Sequence, residues 1–191
     1  MTLLPLLSDV LEATDRQLLN HSSRVSFYAT LMASRLNLTV SEQKALALGA
    51  FLHDVGKTSL PSYRFSEDHN LPSGAASLCR EHVDRGARMI APLGLPIETR
   101  EIIASHHERW DGQGYPHGLQ GTDIPLLARI VGIAQTFDHL TADAPGRVTL
   151  PLEAAIHQIS LQSDTHFDPQ LLELFVQVVK NSPVSPRTME I

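Results

Sequence analysis

Apolar side chains along this chain recur at spacings of three and four, the period of a helix that buries one face. Val25, Tyr28, Ala29, Met32, Ala33 and Leu36 keep that rhythm and predict a helix over about 22–36. Before it, Leu11, Leu18 and Leu19 predict a separate helix ending near Asn20. Thr39 and Glu42 have capping-box spacing, and Ala45, Leu46, Leu48, Gly49 and Leu52 carry the helix they open to His53, where Gly56 stops it. Residues 58–74 hold two prolines and many polar side chains and predict a long loop. Helices follow at about 75–92 and 97–109, parted by Pro92, Gly94 and Pro96. Pro116 and its neighbouring glycines force a loop over 110–124. Pro125 suits the first turn of a helix running to about 141. Two more helices are predicted at 151–162 and 169–180, the last opened by Asp168 as N-cap and Pro169 at the first position. No stretch alternates as a strand does. The reading is an all-α single domain over 1–191, with a frayed tail from about 182.

Composition narrows the function. A chain of 191 residues buries roughly 70% of its unfolded surface and needs no disulfide to fold. The net charge is −6 without a run of Lys or Arg, which argues against a DNA or RNA polymer or an anionic membrane surface as partner. No apolar run approaches the ~18 residues of a membrane span. Met1–Leu7 lacks a basic leader region. The lone Cys79 fits a reducing compartment, so the expected location is the cytoplasm. Ten histidines stand against fifteen Lys plus Arg, and several cluster, which turns the reading toward metals.

The string His53-Asp54-Val55-Gly56-Lys57 sits at a predicted helix end. An imidazole beside a carboxylate can bind borderline-hard divalent ions, and the carboxylate can bridge two of them. Lys57 offers a cation to a phosphate. His106-His107, next to Glu108, lies near the end of another helix, and His21 and His82 also fall near helix ends. Taken singly, each has an ordinary structural explanation. Together they let a helix bundle converge its ligands at one place. Histidines with one carboxylate suit Fe, Mn, Zn, Co or Ni over Mg or Ca.

In order along the chain, His21, His53-Asp54-x-Gly-Lys57, His82, His106-His107-Glu108 and Asp111-Gly-x-Gly-Tyr115-Pro116 resemble the HD-GYP branch of the HD phosphohydrolases. Ala128-Arg129-Ile130, Phe137-Asp138 and Phe167-Asp168-Pro169 extend the likeness, which runs from about residue 20 to 178. The resemblance implies a five-helix HD core with added C-terminal helices. It implies hydrolysis of cyclic di-GMP or a related cyclic dinucleotide with one or two divalent ions, iron or manganese before Zn, Ni or Co. One ion would be held by His21, His53 and Asp54, the other by Asp54, His82, His106 and His107. Lys57 would stabilise phosphate charge, Tyr115 would touch the base, and Arg147 would pair a phosphate.

Three departures qualify that expectation. The family's Ala-Asp-x-x-Asp-Ala-Leu-Thr reads Ala134-Gln135-Thr136-Phe137-Asp138-His139-Leu140-Thr141, so Gln135 takes a metal-ligand position without its charge. Asp138, one helical turn on, is a second candidate for that carboxylate. Gln17 stands where members with three metals carry a glutamate, so no third ion is expected. The family's Arg-Pro-Tyr-Arg becomes Ala144-Pro145-Gly146-Arg147. Two readings therefore stand beside the cyclic dinucleotide phosphodiesterase. One is a catalytically degenerate module acting by ligand binding or on a signalling-protein partner. The other is a phosphohydrolase for another nucleotide or phosphate ester.

Overall fold

The computed structural model describes residues 9, 12, 15–60, 73–143 and 148–182, with backbone alone for 73–79. Among the described residues seven α-helices carry the fold: α1 (Arg16–Ala33), α2 (Val40–Leu52), α3 (Ser73–Ile90), α4 (Ile97–Ser105), α5 (Leu126–Thr141), α6 (Leu152–Ser160) and α7 (Pro169–Lys180). Among the described residues no strand forms, and one isolated bridge joins Ser163 and Phe167. The protein is thus all-helical, as the periodicity predicts.

Local chemistry sets three of the helix starts. Asp15 caps α1 by accepting from the Leu18 amide at 3.0 Å. Thr39 and Glu42 close a reciprocal capping box on α2. Asp168 accepts from the amides of Gln170 and Leu171 to cap α7.

Two boundaries differ from the sequence reading. No break separates residues 20 and 22: α1 runs unbroken from Arg16 to Ala33. No glycine or proline interrupts that span, and its polar residues His21 and Arg24 lie on an inward face. Helix α4 stops at Ser105, four residues short of the expected end. The chain folds back there: a Cβ on Gly114 would sit 2.3 Å from the Arg109 nitrogen, so only glycine permits the approach.

The main core lies between α1, α2, α5, α6 and α7, with Ile102 from α4. Tyr28, Phe137 and Phe175 meet edge to face there, with centroid separations of 5.1–6.2 Å. A smaller cluster of Leu52, Ala87, Ile90 and Ile103 packs under the ends of α2 and α4. Helix α3 reaches the short helical turn Val55–Ser59 because Gly56 and Gly86 lack side chains: a Cβ on Gly56 would lie 2.0 Å from the His82 carbonyl. The glycine of the His-Asp-x-Gly-Lys string therefore brings His82 against Asp54.

Candidate metal centre

Four helices deliver histidines to one buried carboxylate. His53 is the C-cap of α2 and Asp54 follows it. His106 is the C-cap of α4, with His107 next to it. His82 comes from α3 and His21 from α1. His53, Asp54, His82 and His106 are buried, while His21 and His107 are partly so.

Asp54 faces two ways. Its Oδ2 lies 3.3 Å from His53 Nε2, 3.7 Å from His21 Nε2 and 2.7 Å from the Lys57 ammonium. Its Oδ1 lies 3.1 Å from His82 Nε2 and 3.7 Å from His106 Nε2. Burial, the largest single influence, would raise the Asp54 pKa, but the charges of Lys57 and His53 and the hydrogen bonds of His106 and His53 together hold the carboxyl well below the usual range. Two donor sets result, each with ligand atoms within 4.8 Å of one another: His21, His53 and Asp54, and Asp54, His82, His106 and His107.

These donors suit a cation. His53 Nδ1 donates to the Ala50 carbonyl at 2.7 Å, and His106 Nδ1 to the Ile103 carbonyl at 3.0 Å. A carbonyl only accepts, so both rings keep their lone pair on Nε2, facing inward. His21 Nε2 stands 3.2 Å from His53 Nε2, and His82 Nε2 stands 3.4 Å from His106 Nε2. Among the described residues, the buried atoms Asp54 Oδ1 and His107 Nε2 have no hydrogen-bond partner. Burial, then neighbouring imidazoles, push His106 down to about 3 and His107 well below its ordinary value. Imidazoles converging on a carboxylate fit a divalent transition metal, which binds only deprotonated ligands.

The remaining sequence candidates fall at different distances from this centre. Gln135 donates through Nε2 to the His106 carbonyl at 3.1 Å, which ties its amide to the centre's wall. Asp138, the second candidate for that carboxylate, falls outside both donor sets. It accepts from Arg24 Nε at 2.6 Å and Nη2 at 3.0 Å, and from His21 Nδ1 at 2.7 Å. Burial would raise its pKa, but those hydrogen bonds lower it. Tyr115 stacks on His107 with centroids 4.7 Å apart and planes 16° from parallel. Arg147, with Ala144 and Gly146, lies outside the described residues.

Sequence reasoning passed over three supports. Glu108 accepts from the amides of His117 and Leu119 at 2.7 and 3.1 Å, pinning the loop that carries Tyr115. Arg80 places its guanidinium carbon 4.9 Å from the Tyr115 ring centroid. Arg129 pairs with Asp168 at 2.5 Å, joining α5 to the cap of α7. The position of Glu108 beside two histidines was the available signal for the first, whereas Arg80 carries no local pattern.

Comparison with known proteins agrees with this architecture. A family model described as HD domain matches residues 5–171. A 3'3'-cGAMP-specific phosphodiesterase of Vibrio cholerae is 34% identical over 90% of this chain and 33% of its own length. A cyclic di-GMP phosphodiesterase of Thermotoga maritima is 30% identical over 93% of this chain and 49% of its own. The chain thus spans between a third and a half of these two relatives. Among solved structures, an HD-GYP-type protein of Bdellovibrio bacteriovorus superposes with a TM-score of 0.73 at 24% identity, covering 88% of this chain and 54% of that one, a likeness of fold. With a family model matched over most of its length, the chain belongs to the HD domain family.

Proposed function

We propose that this chain hydrolyses a phosphodiester bond of a cyclic dinucleotide, cyclic di-GMP or a mixed guanine–adenine analogue, at a metal centre built on Asp54. The observation that carries the reading is the division of Asp54, one oxygen facing each donor set. His21, His53 and Asp54 would hold one ion, and Asp54, His82, His106 and His107 the other; iron or manganese suits the donors best. Bound there, such ions supply positive charge to phosphoryl oxygens and make water acidic enough to attack phosphorus.

The protein's own groups do the rest. Lys57 helps to keep Asp54 ionised and stands ready to face phosphate charge. The carbonyls of Ala50 and Ile103 fix the ring orientation of two ligands. Tyr115 forms an aromatic wall on the His107 side, and Arg80 over that ring has no ion pair among the described residues, so it presents a cation at the mouth of the site. Relatives named for cyclic GMP-AMP and for cyclic di-GMP support this substrate class.

The test is anaerobic purification with iron or manganese, followed by assay of both cyclic dinucleotides and product analysis. Linear dinucleotide or mononucleotide should form, and His53→Ala and Asp54→Ala should abolish it. A metal-loaded protein that turns over neither substrate would sink the reading. Gln135 favours a second one, a module that binds the ligand without cleaving it or acts on a signalling partner, because it withholds a negative charge from the His21 side. Tight binding without product would identify that case.

A further inference from the structure

The three imidazoles whose Nε2 atoms line the Asp54 carboxylate from α1, α2 and α4 are not oriented in the same way. His53 and His106 are C-caps, and each donates to a carbonyl three residues back in its own helix. Those carbonyls belong to the last turn, where helical carbonyls lack an intrahelical partner. His21 lies inside α1, where the carbonyls behind it serve the helix. It has no such orphan to use, and its Nδ1 finds a side chain from another helix 117 residues away, Asp138 at 2.7 Å.

We propose that Asp138, clamped by Arg24, is a positioning residue that sets the tautomer of His21 and aims its Nε2 at Asp54. An ionised carboxylate only accepts, so His21 Nδ1 carries a proton, and in the neutral ring that a metal requires the lone pair is on Nε2. Nε2 then lies 3.2 Å from His53 Nε2 and 3.7 Å from Asp54 Oδ2, within the donor set. Arg24 stands one turn beyond His21 on the same helix and grips Asp138 through two nitrogens, a fork that fixes the plane of the carboxylate. It also balances the charge of Asp138, so the carboxylate stays with His21 and does not move in as a ligand. The Asp138–His21 pair is a carboxylate–histidine couple of the kind that orients metal ligands. The tautomer argument stands on this geometry alone; its consequence for metal binding rests on the reading given above.

The decisive measurement is long-range proton–nitrogen NMR on histidine-labelled, metal-free protein, paired with Mn(II) or Co(II) titration. Wild type should show His21 with its proton on Nδ1. Asp138→Ala combined with Arg24→Gln, which leaves no lone buried charge, should shift His21 toward the Nε2-protonated form. The same variant should weaken metal binding on the His21 side about ten- to hundredfold and spare the His82 side. Asp138→Asn with Arg24→Gln restores an acceptor oxygen, so it should recover the tautomer and most of the affinity. An unchanged His21 tautomer in the alanine variant overturns the proposal. So does tighter metal binding in Arg24→Gln alone, because it would mean that freed Asp138 is itself a ligand. Failure of wild type to take up metal would overturn the functional reading alone, since the tautomer is read without metal.

Discussion

The two sides of Asp54 are built from the same residue types but are unequally provided. The His82 side groups three imidazoles with Asp54, His82 and His106 facing Oδ1, and two of the three are adjacent at the end of one helix. The His21 side joins two imidazoles to Oδ2, and that oxygen is shared with the Lys57 ammonium. On the His82 side, His106 is fixed by a carbonyl of its own helix and His107 is covered by Tyr115. On the His21 side, one ligand depends on a borrowed carboxylate. The lesson is that one carboxylate can face two donor sets that are not equivalent; were both to take an ion, their affinities would differ with the number of donors and with what holds each of them.

The largest effect should come from removing what the two sides share. Asp54→Ala should cost both sides at least about a hundredfold in metal affinity, leaving protein without metal after dialysis by elemental analysis. Gly56→Ala should act on one side only. Its Cβ would lie 2.0 Å from the His82 carbonyl, so α3 must shift. Calorimetry should show about 1–3 kcal/mol lost, with metal lost from the His82 side first. Gln135→Asp should reduce the asymmetry. A carboxylate there adds about 1.5–3 kcal/mol of charged interaction, or roughly ten- to hundredfold tighter binding on the His21 side. Titration should then approach two equivalent ions, and an unchanged isotherm would show that the weakness lies elsewhere.

The smallest effect concerns pH. His106 is held near 3 and His107 well below its ordinary value, so both stay neutral in the folded protein. Unfolded, each takes up a proton below about 6.5. Their contribution to the stability of the metal-free protein is therefore complete above about pH 6.5 and is lost progressively as pH falls toward 3. Asp54 and Asp138, also held low, add their loss at the acid end. Melting temperature should fall steadily from pH 7 to pH 4, and His107→Gln should flatten that slope.

Helix α7 and the capping box of α2 were legible in the sequence because short-range chemistry decides them: Asp168-Pro169 and Thr39 with Glu42 act within one turn. The His-Asp string and the paired histidines were legible because their order and spacing are distinctive. The role of Asp138 was not. Sequence shows it one turn from Gln135 and so as a substitute ligand, but its partners His21 and Arg24 lie on another helix, and only packing of α1 against α5 decides which way the carboxylate turns. The unbroken α1 was missed for a related reason. Asn20 and His21 look like a polar interruption until the buried site they border is known.

The loop that carries Tyr115 is tied down by Glu108, the residue directly after the paired histidines, through the amides of His117 and Leu119. The Tyr115 amide also donates to the His107 carbonyl at 3.2 Å. Loop and ligands therefore share a few residues of backbone and open together or not at all. An ion that stiffened His106 and His107 would raise the free energy of lifting the loop, and whatever factor it added to the affinity of a ligand on the loop, that ligand would add to its own. Amide hydrogen exchange at residues 115–119 thus becomes a gauge of how full the centre is, readable in solution without following the chemistry.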